Sequence, residues 1–118
     1  MDSGQDLILA LREQRKLLID TVNAMKVVGR LRDEAEMKYR IALRKEILKL
    51  KVSGADEGGG PVAWTVCDDL AKGNEEVAKL RFNRDIKQSD YDVCIEKINA
   101  VKIEIRLLEN EIKMEWGK

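Results

Sequence analysis

An all-α chain folded as a long antiparallel helical hairpin is the architecture predicted by three observations. The composition is 44% hydrophobic and 37% charged but only 4% aromatic, and it is dominated by Leu, Lys, Arg, Glu and Ala, residues that favour helix. A single proline, Pro61, directly follows three glycines near the middle of the 118 residues. On both sides of that break, apolar residues recur at steps of three and four, the period of one helical face.

The first element is a helix over residues 5–52. Leu7, Leu11, Leu18, Val22 and Met25 continue into Val28, Leu31, Ala35, Tyr39 and Ala42, then Leu43, Ile47 and Leu50. The stripe changes position around the cylinder because a straight helix drifts against a strict heptad. At about 1.5 Å per residue this arm is about 70 Å long. The loop is 53–61, SGADEGGGP, too flexible for helix.

Pro61 is suited to open a second helix over 62–72, with Asp68 and Asp69 placed near its positive end. Gly73-Asn74 reads as a C-terminal glycine followed by an N-cap, with Glu75 and Glu76 in a new first turn. The second arm is therefore broken or kinked there, and a third helix runs over 75–116. Its last part carries a coiled-coil-like seam at Tyr91, Cys94, Ile98, Val101, Ile105, Leu108 and Ile112. Such a seam demands a partner helix. Folding the arms about the glycine loop places residues whose numbers sum to about 115 side by side, with Arg44 and Lys45 near Asp69, Lys38 near Glu76, Glu34 and Glu36 near Lys79 and Arg81, and Arg12 near Glu104. The whole chain, 1–118, reads as one hairpin domain.

The open ends carry more apolar residues than one seam can bury. Ile8, Leu9, Leu17, Ile19 and Val27 stand beside the first stripe, and Val93, Ile95, Ile103, Leu107, Met114 and Trp116 beside the second. At about 25 cal/mol per Å² of apolar area, that excess favours association. A homo-dimer or higher oligomer closing into a four-helix bundle is expected, with Leu11, Leu18, Val22, Ile98, Ile105, Leu108, Ile112 and Trp116 as the candidate interface.

The function classes left open are few. With no histidine, every Ser-His, Cys-His, His-zinc and Glu-x-x-His arrangement is ruled out. The chain is expected not to be an enzyme, and no cofactor or metal is expected. Cys67 and Cys94 are too far apart for a Cys-x-x-Cys site and, in helix, too distant for a disulfide; they read as reduced, buried hydrophobes. No basic, apolar leader and no membrane-length apolar run is read, so a cytoplasmic location is expected. The 22 basic and 22 acidic residues cancel, leaving no global pull toward nucleic acid or an anionic membrane.

A polar, aromatic-flecked middle is the best recognition face. Arg30, Arg40, Arg44, Arg81 and Arg84, with Tyr39, Phe82 and Tyr91, are the candidate binding residues for a host protein or a small anionic ligand, because guanidinium forks suit phosphates and rings stack on bases. Arg32 joins these five arginines in a candidate anion pocket across the hairpin, and ordinary inter-helix ion pairing is the competing reading of all six. Asp33, Glu34 and Glu36 read as a solvated, salt-bridged face rather than a cation site. A helix-turn-helix over VAWTVCDDLA, KGN and EEVAKLRFNRDIKQ would lead with Glu75 and Glu76 against phosphates, which disfavours DNA recognition. Trp64 and Trp116 read equally as interface anchors or as simple packing.

Tyr39-Arg40-Ile41-Ala42-Leu43, Ile47-Leu48-Lys49-Leu50, a Gly/Pro turn, Asp69-Leu70-Ala71-Lys72-Gly73, Val77-Ala78-Lys79-Leu80-Arg81, Arg84-Asp85, Tyr91, Glu96-Lys97-Ile98-Asn99, Arg106 and Glu115-Trp116 together resemble a group of short helical proteins of tailed bacteriophages and prophages. The resemblance covers about residues 35–116 and brings no catalytic or binding residues. What it implies is a small cytosolic phage protein acting by binding in the host. Three roles follow as expectations. The first is sequestration or inhibition of a host defence protein, nuclease or nucleotide signal. The second is an accessory role in phage replication or recombination, on single-stranded DNA or its binding protein. The third is a structural or assembly helix bundle.

Overall fold

The computed structural model describes residues 3–54 and 62–117. Three helices follow one another, α1 (Gly4–Ser53), α2 (Trp64–Lys72) and α3 (Glu75–Trp116), and no strand occurs among the described residues. The chain is an all-α antiparallel helical hairpin whose second arm is interrupted between α2 and α3.

Each helix end has a local cause. At the start of α1, Ser3 and Asp6 cap each other: the Asp6 N–H donates to Ser3 Oγ at 3.2 Å and the Ser3 N–H to Asp6 Oδ2 at 3.3 Å. This reciprocal pair satisfies donors that a helix leaves open at its first turn. At the other end the Gly54 N–H closes on the Leu50 carbonyl at 2.8 Å. The start of α2 differs from the sequence expectation. Val62 and Ala63 are outside the helix, and Ala63 is extended (φ −63°, ψ 147°) with no side-chain cap. The expected loop 53–61 begins one residue late, since Ser53 still belongs to α1, and 55–61, with Pro61, lie outside the described residues. The later start also moves Asp68 and Asp69 out of the first turn; Asp68 instead pairs with Lys72 at 2.8 Å.

The interruption after α2 is a two-residue turn. The Gly73 N–H bonds to Leu70 O at 3.1 Å and the Asn74 N–H to Ala71 O at 3.0 Å. Gly73 itself is right-handed (φ −82°, ψ −9°), so no positive φ demands a glycine there. Asn74 Oδ1 then accepts from the Glu76 N–H at 3.0 Å and the Val77 N–H at 3.2 Å, the N-cap geometry expected of it. Glu75 and Glu76 occupy the first turn of α3, where negative charge meets the positive helix end.

The chain divides into two compact units, Met1–Gly29 with Asp90–Lys118 and Arg30–Ser89. In the first unit the two helical segments run antiparallel: a Cβ on Gly4 would stand 3.1 Å from the Trp116 ring, and one on Gly29 3.4 Å from the Tyr91 ring. Leu7, Ile98, Val101 and Leu108 form its buried core, with Leu11, Leu18, Val22, Met25, Tyr91, Cys94, Ile105 and Ile112 half-buried around them. Thr21 is buried too, its hydroxyl donating to the Leu17 carbonyl at 2.7 Å. In the second unit Ala35 and Tyr39 on α1 are buried, as are Val62, Cys67, Ala71 and Val77 from the second arm. Cys67 is wholly buried and Cys94 partly, and both are free thiols. Of the apolar stripe read along α1, Leu31 is the member that faces outward.

Facing residues in both units have numbers that sum to 120, as Gly4 with Trp116, Gly29 with Tyr91, and Glu36 with Arg84. The expected sum of about 115 is corrected by that difference. The second arm starts its helix at Trp64 and takes up further chain in the 73–74 turn, so each residue of α1 meets a later residue of α3. The charge pairs offered for the earlier register change with it. Lys38 pairs along its own helix with Glu34 at 3.0 Å, and Lys79 with Glu75 at 3.1 Å.

Candidate functional site

The strongest concentration of polar chemistry lies in the second unit. Arg32, Asp33, Glu36 and Arg40 on α1 face Arg84, Asp85 and Gln88 on α3 around an open cleft of about 430 Å³. Helical spacing assembles it: residues three and four apart share a face, so 33, 36 and 40 align on one helix and 84, 85 and 88 on the other.

The guanidinium groups in this cleft are already engaged. Arg32 donates through Nε and Nη2 to Asp33 Oδ1, each at 3.1 Å. Arg40 Nε meets Glu36 Oε1 at 2.7 Å. Arg84 donates to Asp85 Oδ1 through Nη2 at 2.9 Å and Nε at 3.1 Å, and approaches Glu36 Oε2 at 3.5 Å. Glu36 thus bridges Arg40 on its own helix and Arg84 on the facing one. The hydrogen bond that Arg84 donates to Asp85, helped by attraction to Asp85 and Glu36 and opposed by burial, holds Arg84 above its ordinary pKa. The guanidinium also lies 4.5 Å from the Tyr39 ring centre, a cation–π distance. The arrangement neutralises itself: three arginines meet Asp33, Glu36 and Asp85, so the cleft offers an anion no unmatched positive charge. Ion pairing thus occupies these arginines, mostly along their own helices, with Glu36–Arg84 the pair that crosses between α1 and α3. Asp33, Glu34 and Glu36 are salt-bridged as expected, and no group of three or more His, Cys, Asp or Glu is gathered among the described residues.

The other candidate binding residues are dispersed. Tyr39 is 4% exposed and acts as packing under Arg84; its place in the Ala35-Tyr39 stripe was the signal for that. Phe82 is 68% exposed and, two residues from Arg84, lies on nearly the opposite side of α3. Arg30 and Arg81 are exposed, and Arg44 flanks a different hollow, beside Leu48 and Trp64. Tyr91 belongs to the first unit and packs against Gly29.

The candidate interface residues divide as well. Ile98 and Leu108 are buried within a single chain, and Leu11, Leu18, Val22, Ile105 and Ile112 are half-buried along the same seam. Trp116 is 65% exposed despite its contact with Gly4. The apolar surplus read beside the seam is what stands outside: Leu9, Leu17, Ile19 and Val27 on α1, with Val93, Ile95, Ile103, Leu107 and Met114 on α3, are exposed. Ile103, Leu107 and Met114, four and seven residues apart, form one outer stripe of α3. Among the described residues no helix is long and apolar enough to cross a membrane. The chain matches no protein-family model, no curated protein and no solved structure, so no comparison links it to a phage group.

Proposed function

We propose that the chain is a non-enzymatic binding protein, phage-encoded and acting in the host cytoplasm, that self-associates through the outer apolar face of its first unit and inhibits a host protein by occupying it. The observation that carries this reading is the outer stripe of α3, Ile103, Leu107 and Met114, each more than half exposed and turned away from the seam with α1. An exposed apolar stripe of this kind marks contact with another macromolecule. A second copy pairing through the same stripe buries it across a two-fold axis. The self-neutralised arginine cleft favours a protein over a nucleotide signal or single-stranded DNA, because phosphate recognition draws on unmatched positive charge.

Site-specific photo-crosslinking in host cells tests both parts. Leu107→p-benzoylphenylalanine should yield an adduct of two copies of the chain, and Phe82→p-benzoylphenylalanine an adduct with a host protein. Absence of protein adducts from both positions contradicts the reading, and a nucleic-acid adduct at position 82 replaces it with a replication or recombination role.

A further inference from the structure

The second unit contains a groove that the arginine cleft does not account for. Arg40, Leu43, Arg44, Ile47 and Leu48 on α1 and Trp64 at the start of α2 line a hollow of about 440 Å³. Two neighbouring ridges of α1 shape it, Arg40-Arg44-Leu48 and Leu43-Ile47-Lys51, each in steps of four. Lys51 fixes its far wall: its ammonium donates to the Val62 carbonyl and lies 5.0 Å from the Trp64 ring centre. The floor is apolar, yet Leu48 remains 42% and Trp64 56% exposed.

Charge decides what such a groove accepts. On α1 the groove is bordered by Arg40, Arg44 and Lys51, while Lys45 and Lys49 lie on other faces of the helix. Arg40 is held by Glu36, while Arg44, exposed at the groove's edge, has no ion-pair partner among the described residues. An apolar floor under a basic rim complements an amphipathic segment with carboxylates beside its apolar side chains. A tryptophan in a pocket with arginine beside it is also the residue pairing that concentrates binding energy at protein interfaces.

We propose that this groove seats an acidic amphipathic helix of a protein partner, its apolar side chains entering between Leu48 and Trp64 and its carboxylates meeting Arg44 and Arg40. The proposal rests on the reading of the chain as a protein-binding protein and names the chemistry of its partner. It commits to a peptide rather than a phosphate backbone, because Arg44 is the groove's one unpaired cation among the described residues and the floor calls for apolar side chains.

The test is fluorescence anisotropy of a labelled synthetic peptide of repeated Glu-Leu-Glu-Glu-Leu-Leu-Glu units, whose leucines share one helical face, titrated with the full chain. A counterpart with Lys in place of every Glu serves as control. Saturable binding of the acidic peptide alone is expected, weakened about tenfold or more by Arg44→Glu and by Leu48→Glu. The charge-matched Lys97→Glu on α3 should leave it unchanged, and far-UV circular dichroism should show each variant helical. No saturable binding, equal binding of the Lys peptide, or equal weakening by Lys97→Glu overturns the proposal. So does displacement of the peptide by a tighter-binding oligothymidylate or by anionic lipid vesicles. If the peptide fails while Phe82→p-benzoylphenylalanine still captures a host protein, the groove assignment alone falls. If both fail, the binding-protein reading falls with it.

Discussion

Tyr39 and Glu36 meet the same arginine, and replacing each in turn separates what apolar burial and ion pairing contribute to the second unit. Tyr39 is 4% exposed, and truncating a buried aromatic side chain to alanine costs about 3–5 kcal/mol. Glu36 makes two ion pairs, to Arg40 and Arg84, whose side chains are 76% and 25% exposed against 34% for Glu36 itself. Pairs open to solvent in this way contribute about 0–1 kcal/mol, and Arg84 keeps its Asp85 partner at 2.9 Å when Glu36 is neutralised. At about 2.1 cal/mol/K per residue, unfolding 118 residues carries an entropy of roughly 0.25 kcal/mol/K. Each kcal/mol therefore moves the melting temperature by about 4 °C.

Tyr39→Ala should accordingly lower the melting temperature by about 12–20 °C, and Glu36→Gln by about 8 °C or less. Thermal melts followed by far-UV circular dichroism at one fixed chain concentration measure both. A double-mutant cycle between Tyr39→Leu and Arg84→Ala should show a coupling of about 0.5–1 kcal/mol from the ring–guanidinium contact. If Glu36→Gln destabilises as much as Tyr39→Ala, polar bridging rather than packing holds α1 to α3, and the reasoning fails.

Three further substitutions follow from local geometry. Asn74→Ala removes the oxygen that accepts from Glu76 and Val77 and should cost about 1 kcal/mol, read as a melting temperature about 4 °C lower; an unchanged melt would show that the cap contributes nothing. Gly29→Ala should stabilise by about 0.5–1 kcal/mol, since glycine is a poor helix residue and the added methyl meets Tyr91 at an ordinary 3.4 Å; a lower melting temperature would show that the Tyr91 ring cannot give way. Lys72 is raised above its ordinary value of 10.5 by the Asp68 hydrogen bond and then by the Asp68 charge. The pair's contribution is therefore present in full below that value and lost as pH rises through the raised one. An NMR titration of the Lys72 ammonium should show the shift and its disappearance in Asp68→Asn, and an identical titration in both chains would contradict it.

Much of this fold is legible in the sequence because its causes are local. Asn74 lies next to the residues it caps, and the seam from Tyr91 to Ile112 repeats a spacing that only a partnered helix needs. Register is another matter. It depends on where a glycine-rich connection lets the second arm restart, and charge matching between two Lys/Glu-rich helices is satisfied at several offsets. Glu34 takes Lys38 and Glu75 takes Lys79 on their own helices, so those residues carry no information about the facing arm. The Ser3–Asp6 cap was also open to sequence reasoning, as a serine and an acid three residues apart before an apolar run.

The candidate site was half legible. Residue types identified an arginine-rich middle, but whether its arginines wait for a ligand or are neutralised depends on the carboxylates around them, and Glu36 reaches Arg84 only at the register found. Most of the apolar surplus beside the seam was legible, because two helices share one seam and what lies outside it stays exposed; Ile8, half-buried, is the exception. The burial found also moves the test of association. Leu108 is buried and Ile105 half-buried within one chain, so arginine at those positions would unfold the chain, whereas Ile103→Glu with Leu107→Glu alters the outer stripe.

Native mass spectrometry of the intact chain purified from host cells at low salt addresses the proposed self-association most directly. An assembly at twice the 13.5 kDa chain mass or a higher multiple, free of nucleotide and reduced to single chains by Ile103→Glu with Leu107→Glu, is the predicted result. A 13.5 kDa species at every concentration tested, unchanged by that double substitution, would contradict it.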